Sequence, residues 1–252
     1  MLLLHRKKYG IHFYKVWFAS EPLKKKGIIA YHECKEMDKV QPCEKFDTLI
    51  TDLTENEDEI KQHFSKNCRY YVNRASREDI TVEMHSGKEI SNEKIKEFLD
   101  FFEEFWMSKG STLHEKDKLE QELRVYRDAD ALGITEAFVR GQKVVYHTHI
   151  LDTEIVRLLH SASLYRLREE DQDSKNLIGI ANRYLHFEEM KYYKNLGKKT
   201  YDWGGAGMNE DVVHITEFKK SFGGTPATYY DFEAVNGLMA NAFKLLAKIL
   251  KR

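Results

Sequence analysis

The sequence lacks the features that mark exported, membrane-spanning and disulfide-stapled proteins. Its three cysteines, Cys34, Cys43 and Cys68, are odd in number and form no CxxC pair, so neither a disulfide framework nor a standard zinc site is indicated. No apolar run approaches the ~20 residues needed to cross a bilayer. The opening MLLLHRKK places apolar residues before charges, the reverse of a secretory signal. These absences predict a cytoplasmic protein.

An excess of charge of either sign is also missing. The 252 residues include 40 Lys and Arg against 41 Asp and Glu, a formal net charge of -1. A global basic field of the kind that dominates nucleic-acid binders is therefore absent, and any nucleic-acid partner must be held by a local patch. The 42% hydrophobic content is that of a globular chain forming one large or two small domains. We find no short-period repeat and no low-complexity tract.

The first part of the chain predicts strands followed by one helix. Three strands are expected within residues 9–50, where the runs IHFYKVWFA, GIIAYHE and TLITDL are aromatic and β-branched. One amphipathic helix is expected over about 54–76, with Thr54 as its cap and Glu57 three residues on. A short strand, ITVEMH, follows. The polar run SGKEISNEK then suggests a boundary, which divides the chain into ranges 1–88 and 89–252.

The second part alternates helices and strands. Helices are expected over NEKIKEFLDFFEEFWMSKG, with Gly110 as stop, and over about 116–129. LGITEAFVR, QKVVYHTHIL and IVRLLHSASLY predict an antiparallel meander. A polar loop, a long helix ending at Gly197, the strand TYDWGG, a glycine-bracketed segment, the strand ATYYDFEAV and a terminal helix from Leu238 complete the order. Fold class is therefore α/β with a mixed sheet (α+β).

The start of the long helix is a candidate anion site. It opens near Ser174, Lys175 and Asn176, where free backbone N–H groups and the helix dipole favour a phosphate. We predict donor binding there; the alternative is an ordinary capped surface helix.

Three sequence patches then carry a family resemblance. They are NCRYYVNRASREDI (67–80), KNLGKKTYDWGGAG (194–207) and EFKKSFGG (217–224). Together with the order of elements from Ser91 onward, they resemble the Fem-type branch of the GNAT acyltransferase superfamily, whose members include aminoacyltransferases of peptidoglycan cross-bridges and acyltransferases of surface-polysaccharide pathways. The resemblance implies a GNAT-like acyltransferase domain at 89–252 and a reduced N-terminal GNAT-like half at 1–88.

The resemblance also implies an activity. We expect an acyltransferase that forms an amide on an amino group of a nucleotide- or lipid-linked cell-envelope precursor, with no bound cofactor or metal. The co-substrate is aminoacyl-tRNA or acyl-CoA. Balanced charge disfavours tRNA, and the glycine-rich pyrophosphate signature of coenzyme-A-using GNAT proteins is absent before the long helix, so both donors stay open.

Glycines bracket the residue that we favour as catalytic. Five of the 14 glycines lie at 204, 205, 207, 223 and 224, on either side of Phe218-Lys219-Lys220. Such glycines let a backbone approach a ligand closely or reverse sharply. We therefore predict two flexible hinges that hold Lys219 at a cleft edge, with Gly204 and Gly205 against the substrate. The resemblance implies that Phe218 and Lys219 act on the developing oxyanion or on a phosphate. The alternative is a solvated turn with Phe218 in the core.

Further candidates lie at a strand end and on the first helix. Asp202 either accepts a proton from the attacking amine or caps the next turn, and Trp203 beside it faces the same cleft. Arg69 and Arg74, with Tyr70 between them, suit phosphate recognition on a nucleotide-linked acceptor or a tRNA end. A salt-bridged helix face is the alternative.

Two histidines and the C-terminal helix leave other functions open. His147, His149 and Asp152 suggest a metal-dependent hydrolase; alternatively the two histidines pack or bond locally, or His149 serves as a general base. The basic amphipathic run GLMANAFKLLAKILKR docks on the core or contacts the inner face of a membrane. The remaining alternative is a non-catalytic GNAT-like module that presents residues 69–77 to nucleic acid or a protein.

Overall fold

The computed structural model describes residues 1–35, 43–166, 172–207 and 213–250. Parts of two segments singled out in the sequence, 167–171 in the polar loop and 208–212 between the glycine pairs, lie outside the described residues. Within the described ranges the chain forms ten strands and seven α-helices, in this order: β1 (Leu2–Lys8), β2 (Ile11–Trp17), β3 (Gly27–Cys34), β4 (Cys43–Asp52), α1 (Glu57–His63), α2 (Lys66–Ala75), β5 (Ile80–Ser86), α3 (Asn92–Met107), α4 (Lys116–Asp128), β6 (Leu132–Val139), β7 (Gln142–Leu151), β8 (Ile155–Ser163), α5 (Gln172–Asn195), β9 (Thr200–Asp202), α6 (Val213–Lys220), β10 (Thr225–Asn236) and α7 (Leu238–Leu250).

The chain packs as two compact units. Unit 1 combines residues 1–48 with residues 226–252, and unit 2 is the continuous stretch 49–225. This packing division differs from the ranges 1–88 and 89–252, which describe GNAT-like halves and stay a prediction.

Unit 1 is a sheet with a helix on one face. Its strands follow the order β1-β2-β3-β10, with β2 and β3 parallel and the other pairs antiparallel. One face buries Val16, Tyr31 and Phe232, and the other packs against α7 through Ile11 and Ala240. Strand β1 was not among the three strands expected in residues 9–50; the other three are present.

Unit 2 contains a mixed sheet in the order β4-β9-β8-β7-β6-β5. Only β8 and β9 run parallel, because α5 connects them by a crossover; the remaining pairs are antiparallel. The predicted meander is therefore confirmed as β6–β8, and the predicted strand ITVEMH as β5. The predicted α/β class with a mixed sheet is confirmed as well.

Helices cover both faces of this sheet. Alternation along β7 places Tyr146 against Phe98 and Phe101 of α3, whereas His147 faces α5. Helix α4 packs beside α3, and α2 packs beside α5. The α3–α4 face and the α5 face thus carry different chemistry. None of the helices in the described part of the chain is both long and apolar enough to cross a membrane.

The helix expected over 54–76 is wrong as a single element. The chain leaves helical geometry at Phe64 (ψ 145°), and the amide of Ser65 donates to the carbonyl of Ser221 at 2.8 Å. Ser65 then caps α2 by accepting from the Cys68 amide. The cap of α1 is Asn56, in a capping box with Glu59, rather than Thr54. A long-range bond to the backbone after α6 therefore breaks the expected helix.

Candidate functional site

Strands β8 and β9 separate soon after they meet. They pair only from Ile155 to Arg157 on β8 and from Thr200 to Asp202 on β9, while β8 continues to Ser163. Beyond Arg157, no strand within the described ranges pairs with this edge of β8. A gap between parallel strands leaves backbone N–H and C=O groups available, which suits the binding of a ligand.

Helix α6 places the ammonium of Lys219 where the two strands separate. Its Nζ donates to the carbonyl of Gly205 at 2.7 Å and more weakly to that of Gly204 at 3.4 Å. Thr216, one turn earlier, donates to the carbonyl of Gly207 at 2.7 Å. Lys219 is 9% exposed. The solvated turn that was the alternative is wrong at residues 218–220, because these residues belong to a helix, whereas the two flexible hinges stay a prediction.

Two glycines permit the close approaches that hold α6. A Cβ on Gly204 (φ +67°) would lie 2.0 Å from the carbonyl oxygen of Leu158, and one on Gly223 (φ +75°) would lie 2.2 Å from that of His63. Any side chain at either position would collide with backbone in a conformation that L-residues rarely adopt. Both approaches are to the protein's own backbone, and the predicted contact of Gly204 and Gly205 with a substrate stays a prediction.

Behind α6, a buried carboxylate ties α5 to three strands. Glu189 is fully buried and accepts hydrogen bonds from Thr135 on β6, from His147 Nδ1 on β7 (2.7 Å) and from Tyr201 OH on β9 (2.7 Å). His186 Nδ1 lies 3.1 Å from its second oxygen. Because an ionised carboxylate only accepts, the nitrogen of His147 that faces it must carry the proton. We call these residues the Glu189 network.

Electrostatics in the Glu189 network favour an ionised glutamate. Burial alone would raise the pKa of Glu189, but the charge and hydrogen bonds of His147 and His149 hold this pKa well below its usual range. Burial lowers the pKa of His186 to about 3, with a further contribution from His147, so its ring is neutral. That ring contacts Phe218 and Phe222 of the α6 region. The network therefore positions the helix that carries Lys219.

Metal binding has two candidate clusters in the described part of the chain. In one, ligand atoms of His147, His186 and Glu189 lie within 4.8 Å of one another. The rings of His147 and His186 are stacked, with centroids 4.3 Å apart, and all three residues are buried and hydrogen-bonded to each other or to neighbours. This favours a hydrogen-bonded network over a metal site. The other cluster, Glu83, His85 and Glu136, includes a carboxylate ion-paired with Lys94. The set considered from sequence, His147, His149 and Asp152, is not brought together among the described residues.

A cavity lies on the opposite, α3–α4 face. Its volume is about 450 Å³, and it is lined by α3, the loop 108–115, α4 and the ring of His160 on β8. Phe102, Trp106 and Glu122 contribute its aromatic and acidic surface. The indole Nε1 of Trp106 is buried with no hydrogen-bond partner in the described protein. A buried donor without a partner beside a cavity is consistent with a ligand that accepts its hydrogen bond.

His160 faces this cavity because of an irregularity in β8. Thr148 pairs with His160 and His149 pairs with Leu158, so Leu159 is an extra residue in the strand. Such a bulge re-aims the side chains that follow it. His160 Nδ1 is 2.8 Å from Thr148 Oγ1. Burial, and then the nearby charge of Arg157, lower the pKa of His160 to about 4, so the ring is neutral near pH 7. His160 was not identified from the sequence.

Each of the other predicted site residues close to Lys219 in the sequence or on β7 has its own partner. Asp202 Oδ1 accepts from the Gly204 amide at 2.8 Å, as the turn-capping alternative predicts. Trp203 is fully buried, and its Nε1 donates to Thr51 at 3.1 Å. Phe218 packs against the unit 2 core. His149 is buried beside the Glu189 network, and its Nδ1 lies 3.1 Å from Tyr193 OH. The catalytic and binding roles assigned to these residues stay predictions.

The remaining predicted binding residues form their hydrogen bonds with other parts of the chain. Arg69 donates to the carbonyl of Gln62 at 2.6 Å, and Arg74 pairs with Glu78 at 2.7 Å, while Tyr70 is exposed between them. These bonds fit the salt-bridged helix face that was the alternative. Three donor-binding candidates occupy the first turns of α5, where the side chains of Ser174 and Lys175 are half-buried and that of Asn176 is exposed.

Comparisons with known proteins identify the fold. Neither a protein-family model nor a curated protein matches the sequence. FemX is similar in structure, with a TM-score of 0.59 and 15% identity over 79% of this chain and 63% of FemX. L-PGS from Bacillus licheniformis gives a TM-score of 0.52 and 13% identity over 90% of this chain and 74% of that one. The C-terminal domain of a putative lysylphosphatidylglycerol synthetase from Agrobacterium fabrum gives a TM-score of 0.50 and 11% identity. This match covers 98% of this chain and 85% of that one.

These likenesses extend across most of the present chain. The chain nevertheless spans less than two thirds of the length of FemX. Identities this low show the fold alone. The expected mixed α/β fold is therefore confirmed, and the chain shares its fold with FemX and with L-PGS from Bacillus licheniformis.

Proposed function

We propose that this protein is an acyltransferase that forms an amide on an amino group of a cell-envelope precursor. One observation carries the proposal: the buried ammonium of Lys219 is fixed by the carbonyls of Gly204 and Gly205 where β8 and β9 separate. When an amine attacks an ester or thioester, negative charge builds on the carbonyl oxygen. A preorganised positive charge in a site of low dielectric constant stabilises that oxygen.

The reaction balances with an activated acyl donor. A new C–N bond forms as the C–O bond of an aminoacyl-tRNA ester, or the C–S bond of an acyl-CoA thioester, breaks. The acceptor's ammonium first releases one proton to solvent, and the neutral amine then attacks and loses a second proton, which His160 accepts and returns to the leaving oxygen or sulfur. His160 lines the cavity and is unprotonated near pH 7, because burial lowers its pKa to about 4. Ser174, Lys175 and Asn176 at the start of α5 hold a phosphate of the donor.

The acceptor binds in the cavity on the α3–α4 face, and its amino group reaches the donor through the gap between β8 and β9, where Lys219 lies. The cavity volume, about 450 Å³, is in the range of small-ligand sites. Aromatic faces of Phe102 and Trp106 together with the carboxylate of Glu122 favour a cationic amine over an anion. An amino sugar or the amino group of a peptide fits this chemistry. Likeness in fold to FemX and to a putative lysylphosphatidylglycerol synthetase supports an envelope precursor as the molecule that carries it.

A direct assay tests the proposal. The protein is incubated with pools of aminoacyl-tRNA and, separately, of acyl-CoA, with nucleotide-linked amino sugars and muropeptides as acceptors. We expect a new amide by mass spectrometry in one donor arm. Lys219→Met should lower kcat by about a hundredfold or more, because the charge near the oxyanion is lost.

Lys220→Met is the matched control. This neighbour on α6 is exposed and pairs with Glu217, so its loss should leave kcat within about twofold. Absence of amide in both donor arms, or an unchanged rate for Lys219→Met, would overturn the proposal.

The non-catalytic alternative draws less support. A nucleic-acid-binding helix needs arginines directed at phosphate, but Arg69 and Arg74 are engaged by Gln62 and Glu78. Steep salt dependence of tRNA binding without turnover would favour this alternative.

A further inference from the structure

Three segments of unit 1 meet at one end of its sheet. They are the turn at residues 7–10, the run 24–26 and the start of α7 at residues 237–239. A Cβ on Gly10 would lie 3.5 Å from Cε of Met239, and one on Gly237 would lie 3.6 Å from Cβ of Lys26. Asn236 also donates to the carbonyl of Lys25 at 3.2 Å. We call these three segments the unit 1 tip.

The unit 1 tip exposes large apolar side chains. Leu238 is 91% exposed, Tyr9 76% and Met239 65%. The next residue of α7, Ala240, is buried against Ile11 and Ile28. Helix α7 is therefore anchored on the sheet through Ala240, while the three exposed side chains lie mostly in solvent. Adjacent exposed apolar side chains on a folded unit indicate an interaction surface.

The same tip is rich in positive charge. Five lysines, at 7, 8, 24, 25 and 26, are exposed, and none forms an ion pair with a described residue. In the sequence, ranges 1–20, 22–32 and 234–252 together contain eleven Lys and Arg and no Asp or Glu. A local positive field of this kind attracts an anionic partner.

The backbone conformation of Tyr9 is unfavourable for a tyrosine. It has φ +53° in the turn between β1 and β2, where Asn or Gly is usual. Its ring is exposed and lies 5.0 Å from the ammonium of Lys8. An exposed aromatic in a disfavoured conformation contributes little to folding, so a role in binding explains it better. Tyrosine prefers the boundary between water and lipid.

We propose that the unit 1 tip docks the protein on an anionic lipid bilayer. Leu238 and Met239 insert at the headgroup boundary, Tyr9 lies at that boundary, and the lysines contact acidic headgroups. This inference goes beyond the proposed function and does not depend on it. A nucleic acid would use the lysines but would have no use for exposed aliphatic side chains, so a bilayer fits both features of the tip.

Flotation with vesicles tests this proposal. We expect the full chain to float with vesicles of phosphatidylcholine and phosphatidylglycerol at low salt, and far less with phosphatidylcholine alone. Added salt should weaken the binding. Fluorescent tRNA is the competing probe. Equal flotation with both vesicle types, or binding to tRNA without binding to vesicles, would overturn the proposal.

Variants separate insertion from charge. The double variants Leu238→Ser with Met239→Ser, and Lys25→Glu with Lys26→Glu, should each weaken vesicle binding at least about tenfold. Met107→Ser in unit 2 is the matched control, because Met107 is 60% exposed, and it should change binding less than about twofold. Unchanged binding by both double variants would contradict the assignment.

Tyr9→Asn gives the sharpest separation of binding from folding. Asparagine tolerates positive φ, so the thermal midpoint should rise by a few degrees while vesicle affinity falls severalfold. A variant that gains stability and keeps full vesicle affinity would show that Tyr9 has no part in docking.

Discussion

The two units carry opposite charge. Unit 1 has 14 Lys and Arg against 8 Asp and Glu, a formal net charge of +6, whereas unit 2 has 26 against 33, a net charge of -7. The balanced total of the chain conceals this difference. Net charge computed for a whole sequence therefore says little about the surfaces it presents.

The units also differ in where they place charged groups. In the described part of unit 2, six charged side chains are buried, namely Glu136, Asp152, Arg157, Glu189, Asp202 and Lys219. In the described part of unit 1, only Glu33 is buried. Buried charges need fixed partners, so unit 2 uses charge to fix geometry. Unit 1 leaves its charge in solvent, where it acts over distance.

The largest expected effect contrasts one glutamate from each unit. Glu189→Gln should lower the free energy of unfolding by about 3–5 kcal/mol, because it removes the charge that several buried donors face. Glu233→Gln, which breaks a solvent-exposed pair with Lys244, should cost less than about 1 kcal/mol. Urea unfolding monitored by tryptophan fluorescence measures both. Similar costs would mean that the two units do not differ in how they use charge.

The second contrast concerns how the free energy of unfolding depends on pH. The pKa of His160 is about 4 in the folded protein and 6.5 when unperturbed, so the unfolded chain binds more protons between these values. This contribution is complete above about pH 6.5 and falls by about 3 kcal/mol as pH is lowered to 4. His160→Asn should flatten this part of the profile of unfolding free energy against pH. Asn236→Ala, an exposed change in unit 1 that removes no titratable group, should leave the slope as it is.

The smallest contrast uses glycines with positive φ. Gly204→Ala in unit 2 would add a Cβ 2.0 Å from a backbone oxygen, whereas the Cβ of Gly237→Ala in unit 1 would meet Lys26 at 3.6 Å. Both substitutions place alanine at a positive φ. The collision should make Gly204→Ala about 2 kcal/mol more destabilising than Gly237→Ala. Thermal unfolding of the two variants measures the difference. Equal midpoints would show that the strand gap near Gly204 adjusts easily.

Local patterns predicted much of the fold. The alternation in β6–β8 and the apolar spacing in α3 and α4 needed no information from elsewhere in the chain. The break between α1 and α2 did, because the Ser65 amide bonds to Ser221, far along the sequence. Helix α6 was not predicted, because its flanking glycines suggested hinges, and their contacts with Leu158 and His63 do not show in the sequence.

The candidate site was predicted only in part, because some of its features are local in the sequence and others depend on distant residues. Lys219 and its glycines stood out by spacing, and the structure places them in contact. His160 faces the α3–α4 cavity only because Leu159 forms a bulge, and no local signal marks that bulge. Glu189 looked like one of many charges on a helix. Its position among buried residues, three after His186 and directly before Met190, is the signal that could have found it.

The discontinuity of unit 1 has a consequence for the order of folding. Ile29 on β3 pairs with Ala234 on β10, so this ladder closes a loop of about two hundred residues. During synthesis, unit 2 has emerged completely before β10 has, and it can acquire native contacts while β3 still has an open edge. Until β10 has been synthesised, the open edge of β3 can pair with other chains. The protein is therefore most exposed to aggregation at this stage of synthesis.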